Sequence, residues 1–385
     1  MTTFDLVAPC HFGLEAVLKK EITDLGYEVT LVQDGRVMFA GDTEAIARAN
    51  VFLRTAERVL LQVGSFRAET FDELFEATKA LAWEEFLPFN AAFWVTKASS
   101  VKSKLFSPSD IQSIMKKAMV ERMKGKYHLE HFPESGASYP VRVFLMKDEV
   151  SVCLDTTGES LHKRGYRKMQ GEAPIAENLA AALLKLTPFR GDRILVDPFC
   201  GSGTIPIEAA LAAANIAPGM KRDFTAMSWT NLIERRLFTE VREEAQSLVK
   251  TDIETDIQGY DIDKDLIEVA KKNALDAGVA HLIHFQARDV ADLSHRKPYG
   301  FIVTNPPYGE RIGEEKALGE LYRTLGERWQ ALEDWSLYVI TAFMDAERYI
   351  GKKAAKNRKI YNGMIKTYFY QYPGAKPPAR RREHS

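Results

Sequence analysis

The sequence has few cysteines and no metal-binding pattern. Its three cysteines, Cys10, Cys153 and Cys200, are widely spaced and form no Cys-x-x-Cys pair. An odd number of separated thiols indicates neither a disulfide framework nor a zinc knuckle. The eight histidines form no His-x-His or His-Glu-x-x-His cluster, so we predict no metal site.

Long hydrophobic runs are also missing. Apolar runs such as residues 179–184 fall well below the roughly 18 residues that a membrane span needs. The first ten residues carry Asp5 inside their apolar stretch and lack the basic leader and long apolar core of a secretory signal. We therefore expect a cytoplasmic protein with no membrane partner. At about 150 residues per domain, its length predicts two or three domains.

The chain as a whole has almost no excess of positive or negative charge, but its charged residues are unevenly distributed. The chain has 52 basic and 53 acidic residues. Residues 97–126 nevertheless contain eight Lys and Arg against two acids, and residues 351–385 contain ten against one. Such basic patches are typical of a nucleic-acid-binding protein, although charge alone fits a solvated helix face and a basic tail equally well.

Hydrophobic periodicity predicts a small α/β unit at the start of the chain, followed by further helices and strands up to residue 155. The predicted elements are a strand at 4–9, a helix at 14–25, a hairpin turning at Asp34 and Gly35, helices at 43–63 and 71–81, a strand at 92–97, a helix starting near Pro108, and a hairpin of strands 141–146 and 149–155.

Strands and helices alternate in the rest of the chain. The predicted strands lie at 194–196, 257–260, 283–286, 301–304, 337–341 and 364–372, and the helices at 176–185, 205–214, 264–277 and 318–332. This alternation predicts a doubly wound, mostly parallel, Rossmann-like sheet. The polar segment 156–162 marks its boundary, and we assign residues 160–385 to this domain.

A glycine-rich turn follows the first strand of this domain. In ILVDPFCGSGTIPIEAA, Asp197 ends the strand, Gly201 and Gly203 form the turn, and a helix follows. Ligands of open parallel sheets bind at this edge, where glycine lets the backbone approach them closely. The missing Gly-Lys-Ser/Thr argues against a Walker nucleotide site, and Pro206 replaces the third glycine of a nicotinamide fingerprint.

Two further acids follow the next two strands. Asp261 is placed to accept hydrogen bonds from ribose hydroxyls, and Asp289 from an adenine amino group. Each acid alone is more typical of a turn or a helix cap, but three acids at three successive strand ends predict a nucleoside site. Asp261 lies 64 residues after Asp197, where about 20 is usual, so residues 215–250 are predicted to be largely an insertion.

The fourth strand ends in Asn305-Pro306-Pro307-Tyr308. Consecutive prolines fix an extended backbone and leave the Pro306 carbonyl without a local partner. Asn305 and that carbonyl are then two rigid acceptors for the hydrogens of an aromatic amine, whose lone pair they turn outward, and Tyr308 stacks on the base. The alternative interpretation is a proline-stiffened turn.

Together, DPFCGSGT, NPPYG and the segment GESLHKRGYR at 158–167 resemble the THUMP-domain guanine-N2 RNA methyltransferases, closest to bacterial enzymes of the RlmL type that act on 23S ribosomal RNA. The resemblance covers nearly the whole chain. It implies a ferredoxin-like first unit at 1–43, a THUMP domain at 44–155 that grips RNA, and S-adenosylmethionine (SAM) as cofactor. The residues it assigns to the cofactor are Asp197, Pro198, Cys200, Gly201, Gly203, Thr204, Asp261, Ile262, Asp289, Val290 and Asn305.

The resemblance also implies the reaction. We expect methylation of guanine N2 in RNA, most specifically 23S rRNA, by in-line transfer at the clamp formed by Asn305, Pro306, Pro307 and Tyr308. Alignment rather than a strong base would lower the barrier. The predicted phosphate contacts are Lys102, Lys104, Arg164, Arg167 and Arg311, and we expect a monomer.

Alternatives remain open at this point. A transfer-RNA guanine-N2 methyltransferase fits nearly as well, because THUMP modules are widespread in such enzymes. RlmL proteins often carry two methyltransferase domains where this sequence has one, which leaves the identity of the RNA substrate open. A catalytically silent RNA-binding assembly factor is a further alternative. DNA adenine and protein glutamine methyltransferases use a similar motif, but the RNA-gripping module argues against them. A cytosine-C5 enzyme would need a cysteine beside the motif.

Overall fold

Two seven-stranded sheets organise the chain, one in each of two units. The structure is a computed structural model that describes residues 2–167, 175–309, 315–363 and 365–378. The first unit comprises the chain up to Cys10, Leu18–Leu161 and Gly219–Ala245, and the second comprises His11–Val17, His162–Pro218 and the chain from Gln246 onward. In the described ranges, no helix is both long and apolar enough to cross a membrane.

The first sheet has the strand order β2-β3-β1-β4-β7-β6-β5, in which β5 and β6 are parallel and every other pair is antiparallel. The elements of this part of the chain are β1 (Phe4–Pro9), α1 (Glu15–Asp24), β2 (Val29–Gln33), β3 (Arg36–Gly41), α2 (Thr43–Phe52), β4 (Leu60–Arg67), α3 (Phe71–Ala80), β5 (Ala92–Val101), α4 (Pro108–Tyr127), β6 (Ser138–Met146) and β7 (Glu149–Asp155).

Strand β4 joins the two predicted N-terminal modules into one continuous sheet. Leu60 pairs with Val7 of β1 on one side and with Asp155 of β7 on the other. The predicted helix over 43–63 is therefore wrong in its second half, because α2 ends at Phe52. Leu60 and Leu61 are both buried, and a short apolar run of this kind fits a helix and a doubly covered strand equally well.

The second sheet has the order β10-β9-β8-β11-β12-β14-β13. Its strands are parallel from β10 to β12, and β14 is antiparallel to both of its neighbours. The elements are α5 (Glu177–Lys185), β8 (Leu195–Asp197), α6 (Thr204–Ala213), α7 (Arg235–Ser247), β9 (Ile257–Asp261), α8 (Lys264–Ala277), β10 (Ile283–Ala287), β11 (Phe301–Thr304), α9 (Glu315–Gln330), β12 (Ser336–Thr341), α10 (Ala346–Ile350), β13 (Lys356–Asn362) and β14 (Ile365–Tyr372). The predicted doubly wound, mostly parallel fold is confirmed.

Alternate residues of the parallel strands pack into two cores, one on each face of this sheet. Leu195, Phe301 and Val303 pack with residues of α5, α6 and α8, whereas Val196 and Ile302 pack with residues of α9 and α10. Successive side chains of a strand point to opposite faces, so both faces must be covered by helices. This arrangement leaves the ends of the strands as the accessible edge of the sheet.

The segment between α6 and β9 contributes to the first unit. Trp229 is fully buried, stacks on Tyr139 with ring centroids 4.9 Å apart, and donates a hydrogen bond from Nε1 to the Ser138 carbonyl at 2.8 Å. Asn231 Nδ2 donates to the Phe86 carbonyl at 2.9 Å. The predicted insertion is thus anchored to β6 and to the turn before β5.

Replacing Trp229 should therefore destabilise the first unit. We expect Trp229→Ala to lower its free energy of unfolding by about 3–5 kcal/mol, because the change leaves a cavity and removes a buried hydrogen bond. Trp94→Ala is the matched control, since Trp94 is 43% exposed on the edge strand β5, and should cost about 0.5 kcal/mol. Urea unfolding of both variants, followed by circular dichroism, measures the difference. Equal losses would contradict the anchoring role.

Candidate functional site

Four parallel strands of the second unit deliver polar residues to one edge of the sheet. Strand β8 ends at Asp197, β9 ends at Asp261, β10 is followed by Asp289, and β11 is followed by Asn305. The ends of β9 and β10 are level, since Asp261 pairs with Ala287, and β8 ends two residues earlier, since Asp197 pairs with Gly259. Because the carboxyl ends of neighbouring parallel strands share an edge, this is where an open sheet binds its ligand.

The loop after β8 is held by a backbone carbonyl and a side chain of β9. Cys200 donates its N–H to the Tyr260 carbonyl at 2.8 Å, and Gly201 donates its N–H to Asp261 Oδ2 at 2.9 Å. The φ angles of Gly201 and Gly203 are +52° and +86°, a region that glycine enters without strain. Thr204 then begins α6. The predicted loop residues are therefore brought together at one turn.

The two glycines serve different needs. A Cβ atom on Gly203 would lie 3.0 Å from Ala270 Cβ and 3.1 Å from Phe285 Cζ, so this glycine permits close packing of α6 against α8 and β10. A Cβ atom on Gly201 would meet no described protein atom within 4 Å. The backbone at Gly201 therefore faces open space that a ligand can occupy.

Asp197 is buried at the centre of the edge, with 1% of its surface exposed. Its Oδ1 accepts hydrogen bonds from Thr304 Oγ1 at 2.6 Å and from the Phe199 N–H at 3.1 Å. Burial raises the pKa of this carboxyl to about 7, although both hydrogen bonds act in the opposite direction. Asp197 is thus a structural acceptor that titrates near neutral pH.

The other predicted cofactor residues differ in exposure. Asp261 is half-buried and accepts the Asp263 N–H at 3.0 Å in addition to that of Gly201, while the Ile262 side chain beside it is 73% exposed. Asp289 is exposed and caps the short helix Val290–Asp292 through the Ala291 N–H. Val290 packs into the core on the α9 side.

Asn305 presents a free acceptor at the same edge. Its Oδ1 is buried and has no hydrogen-bond partner among the described residues. Among those residues, none donates to the Pro306 carbonyl either. A buried acceptor without a partner lowers stability by about 1–3 kcal/mol. Such a group in a native site is explained by the binding of a ligand or an ion. The two acceptors predicted from the sequence are therefore both available.

Two residues that the sequence did not reveal support this motif. Tyr322 of α9 is fully buried and donates its hydroxyl hydrogen to the Pro307 carbonyl at 3.1 Å. Asn362, at the end of β13, donates from Nδ2 to the Tyr308 hydroxyl at 3.2 Å. No local pattern marks either residue, since both act across the sheet. They fix the backbone and the aromatic ring of the motif.

Cys200 is unsuited to be a nucleophile. Its thiol is buried with 6% exposure, and burial raises its pKa well above the usual value, with the Asp197 and Asp261 charges adding to the effect. A protonated, buried thiol is inert, which argues further against covalent cytosine chemistry. In the described part of the chain, no group of three or more His, Cys, Asp or Glu is placed to hold a metal ion.

The predicted phosphate contacts are placed very differently. Arg164 and Arg167 form buried ion pairs inside the second unit, with Glu208 at 3.4 Å and with Glu177 at 2.8 Å. Their side chains are 2% and 9% exposed, and this placement does not fit the predicted phosphate contacts. Their charges instead hold the segment before α5 against α5 and α6.

The remaining predicted phosphate contacts lie elsewhere. Lys102 is exposed after β5, and the exposed Lys104 forms an ion pair with Glu69, so part of its charge is neutralised. Both lysines belong to the first unit. Arg311 lies outside the described residues.

Three family models match the chain. The RMKL-like methyltransferase domain matches residues 164–371, the RlmL ferredoxin-like domain matches residues 5–60, and the THUMP domain matches residues 68–155. The chain belongs to the RMKL-like methyltransferase family. This membership confirms the resemblance seen in the sequence. The other two matches confirm the ferredoxin-like and THUMP modules.

Relatives of the RMKL-like family cover the whole chain. The protein named "Putative RNA methyltransferase YpsC" from Bacillus subtilis (strain 168) is 48% identical over 385 residues, 99% of both chains. The structure of SMU.472, complexed with SAH, is 43% identical with a TM-score of 0.92 and covers 98% of this chain and 100% of that chain. A structure from Listeria monocytogenes str. 4b F2365, described as a predicted N6-adenine-specific DNA methylase, is 49% identical with a TM-score of 0.91 and covers 97% of each chain.

The protein is a methyltransferase, and its cofactor is SAM. The residues at the sheet edge fit this cofactor, because the backbone is open at Gly201, an acid is present at Asp261, and the buried Asn305 Oδ1 has no partner in the part of the chain that the structure describes. When bound, SAM supplies a methyl group on a positively charged sulfur.

The raised pKa of Asp197 predicts a pH-dependent stability. The folded state keeps a proton that the unfolded state releases above about pH 4, so the contribution of this residue to stability falls as the pH rises from about 4 to about 7. We expect wild type to melt progressively lower than Asp197→Asn between pH 5 and pH 8. Burial also raises the pKa of Glu177 to about 7, but Glu177 is common to both proteins. A constant difference in melting temperature would contradict the assignment.

The contrast between the two glycines predicts separable effects of substitution. Gly201→Ala should weaken SAH binding about tenfold or more, because the new methyl group enters the open space. The positive φ at this position should also lower the stability of the variant by about 1 kcal/mol. Gly203→Ala should lower the melting temperature further, because its Cβ meets Ala270 and Phe285. Calorimetric titration with SAH and thermal melts give the two quantities. Unchanged SAH affinity in Gly201→Ala would place the ligand elsewhere.

Proposed function

We propose that the enzyme transfers a methyl group from SAM to N2 of a guanine in RNA, with 23S rRNA as the substrate. The observation that carries this proposal is the buried Oδ1 of Asn305, which has no partner among the described residues, next to the Pro306 carbonyl, to which no described residue donates. RNA as the substrate is supported by the THUMP match at 68–155 and by the name of the Bacillus relative. In this proposal residues 44–155 hold RNA and residues 160–385 carry the reaction.

The chemistry follows from the two acceptors. The lone pair of an exocyclic purine amine is delocalised into the ring, which makes the amine a weak nucleophile. Hydrogen bonds from both amine hydrogens, one to Asn305 Oδ1 and one to the Pro306 carbonyl, direct the lone pair away from the protein oxygens. A carbon–nitrogen bond then forms as the carbon–sulfur bond breaks, and N2 loses one proton to solvent. Alignment supplies most of the catalysis, about 7–11 kcal/mol in favourable cases.

Tyr308 gives the target base a surface to stack on. Base–aromatic stacking contributes about 1–3 kcal/mol, which offsets part of the few kcal/mol needed to unstack a base from RNA. The hydrogen bond from Asn362 to the Tyr308 hydroxyl limits the orientations of the ring. Asn362 is therefore a positioning residue, and Tyr308 a residue that contacts substrate.

Adenine N6 in DNA is a second candidate target. It presents a similar aromatic amine, and the Listeria structure carries that description. The THUMP match favours RNA, and the acceptor pair alone fits either amine. A transfer RNA remains the alternative RNA substrate. Mapping N2-methylguanosine in ribosomal and transfer RNA from a deletion strain separates these candidates, because one RNA should lose a single modified guanine. Loss of methyladenine from DNA instead would overturn the proposal.

Asn305→Ala tests the clamp directly. The change should reduce kcat by about 10²–10³, as expected for the loss of one preorganised polar group, while RNA affinity stays within about twofold because stacking and phosphate contacts remain. Asn305→Asp keeps an acceptor in place and should lose less. Asn215→Ala, at a remote exposed amide, is the control that should retain full turnover.

The assay follows transfer of labelled methyl groups from SAM to RNA, with mass spectrometry of the digested nucleosides. If Asn305→Ala turned over at the wild-type rate, the acceptor would have no part in the reaction.

A further inference from the structure

The hairpin formed by β13 and β14 carries positive charge without compensating acids. Residues 351–372 contain six Lys and Arg and no Asp or Glu. Lys356, Lys359 and Lys366 are exposed, and among the described residues none of the three forms an ion pair. By contrast, Lys104 is paired with Glu69, and Lys297 with Asp256 at 2.6 Å. The hairpin thus carries a net positive charge that no acid within it offsets.

Aromatic side chains lie among these cations. The ammonium of Lys359 lies 5.1 Å from the ring centroid of Tyr361, and that of Lys366 lies 5.2 Å from the ring centroid of Tyr368. Phe12 contacts Tyr361 edge-on, with ring centroids 6.1 Å apart and an interplanar angle of 76°. The Phe12 side chain is 42% exposed. Cations interleaved with accessible rings are suited to a nucleic-acid strand, which offers phosphates and bases together.

Residues 11–13 are fixed to the hairpin by hydrogen bonds. His11 Nδ1 donates to the Tyr361 carbonyl at 3.0 Å, and Arg358 donates to the Gly13 carbonyl at 2.9 Å. A Cβ atom on Gly13 would lie 2.6 Å from the Lys359 carbonyl, so the two segments are in close contact. Glu15, the acid nearest in sequence to Phe12, accepts the Gly13 N–H. Phe12 is therefore held in place beside Tyr361.

This surface begins beside the clamp. Asn362 follows Tyr361 directly in β13 and donates to the Tyr308 hydroxyl at 3.2 Å. A strand whose target base is stacked on Tyr308 would have its neighbouring nucleotides close to Tyr361 and Lys366, because these two residues pair with each other at the end of the hairpin that carries Asn362.

We propose that the face formed by Phe12, Lys359, Tyr361 and Lys366, called here the hairpin face, binds the RNA strand that flanks the target guanine. Lys359 and Lys366, which share one face of the hairpin with Tyr361, contact phosphates, and Phe12 stacks on an unpaired neighbouring base. This inference rests on the proposed function, since it takes RNA as the substrate. It assigns phosphate binding to the hairpin in place of Arg164 and Arg167.

Charge removal provides the first test. The full-length variant with Lys359→Gln and Lys366→Gln should bind a labelled single-stranded RNA of about 12 nucleotides, with guanine at its centre. Its slope of log K against log salt should be shallower than that of the wild type by about 1.4. A control with Lys271→Gln and Lys272→Gln makes the same change in net charge and should keep the wild-type slope. Equal slopes for the two variants would overturn the proposal.

Stacking provides the second test. Phe12→Ala should raise KM for this RNA about tenfold and leave kcat nearly unchanged, and Phe12→Trp should restore KM. An unchanged KM, or a failure of Trp to restore it, would remove Phe12 from the interface. If polyglutamate displaced the labelled RNA as strongly as unlabelled RNA does, the hairpin face would be a general polyanion-binding surface. That result would also overturn the proposal.

The two proposals fail separately. Wild-type methylation of RNA with unchanged salt slopes in the lysine variant would reject the hairpin face and leave the proposed function intact. A reduced slope in the lysine variant, together with a wild-type protein that methylates DNA and no RNA, would reject the proposed function. The proposed role of the hairpin face in binding the flanking strand would then be rejected with it.

Discussion

A hydrogen bond between two neighbouring strands holds the halves of the site together. Thr304 Oγ1, at the end of β11, donates to Asp197 Oδ1, at the end of β8, at 2.6 Å. Both residues are buried, so neither can satisfy its polar group with water and each depends on the other. Asp197 immediately precedes the loop proposed to hold SAM, and Thr304 immediately precedes Asn305. The contact therefore joins the proposed cofactor loop directly to the proposed amine clamp.

Supporting contacts extend this constraint outward. Tyr322 fixes the Pro307 carbonyl from α9, and Asn362 fixes the Tyr308 hydroxyl from β13. Neither touches the proposed substrate atoms, yet both limit how the acceptors can move. Asn305 Oδ1 remains buried without a partner in the described chain. A rigid site that keeps an unsatisfied acceptor is prepared to bind a donor without reorganisation.

Much of the second unit could be predicted from local pattern, because parallel strands with intervening helices and polar residues at strand ends are continuous in sequence. The rest depends on long-range contacts. Leu60 and Leu61 read as helix until β1 and β7 pair on either side of β4. Strand β13 has one buried side chain, Ile360, and so gives no hydrophobic signal. Arg164 and Arg167 were predicted to contact phosphates because no local pattern shows that they pair with Glu208 and Glu177, which lie on two later helices. The exact domain boundaries stay a prediction.

The central claim is that the Asn305 edge binds a guanine through its amine, and a crystal structure of the full chain with SAH and a guanine-centred RNA tests it most directly. The account predicts the guanine N2 within hydrogen-bond distance of both Asn305 Oδ1 and the Pro306 carbonyl, with its ring against Tyr308 and its nitrogen facing the sulfur of SAH. A structure in which the two oxygens contact no base, or contact the amine of an adenine, would contradict it.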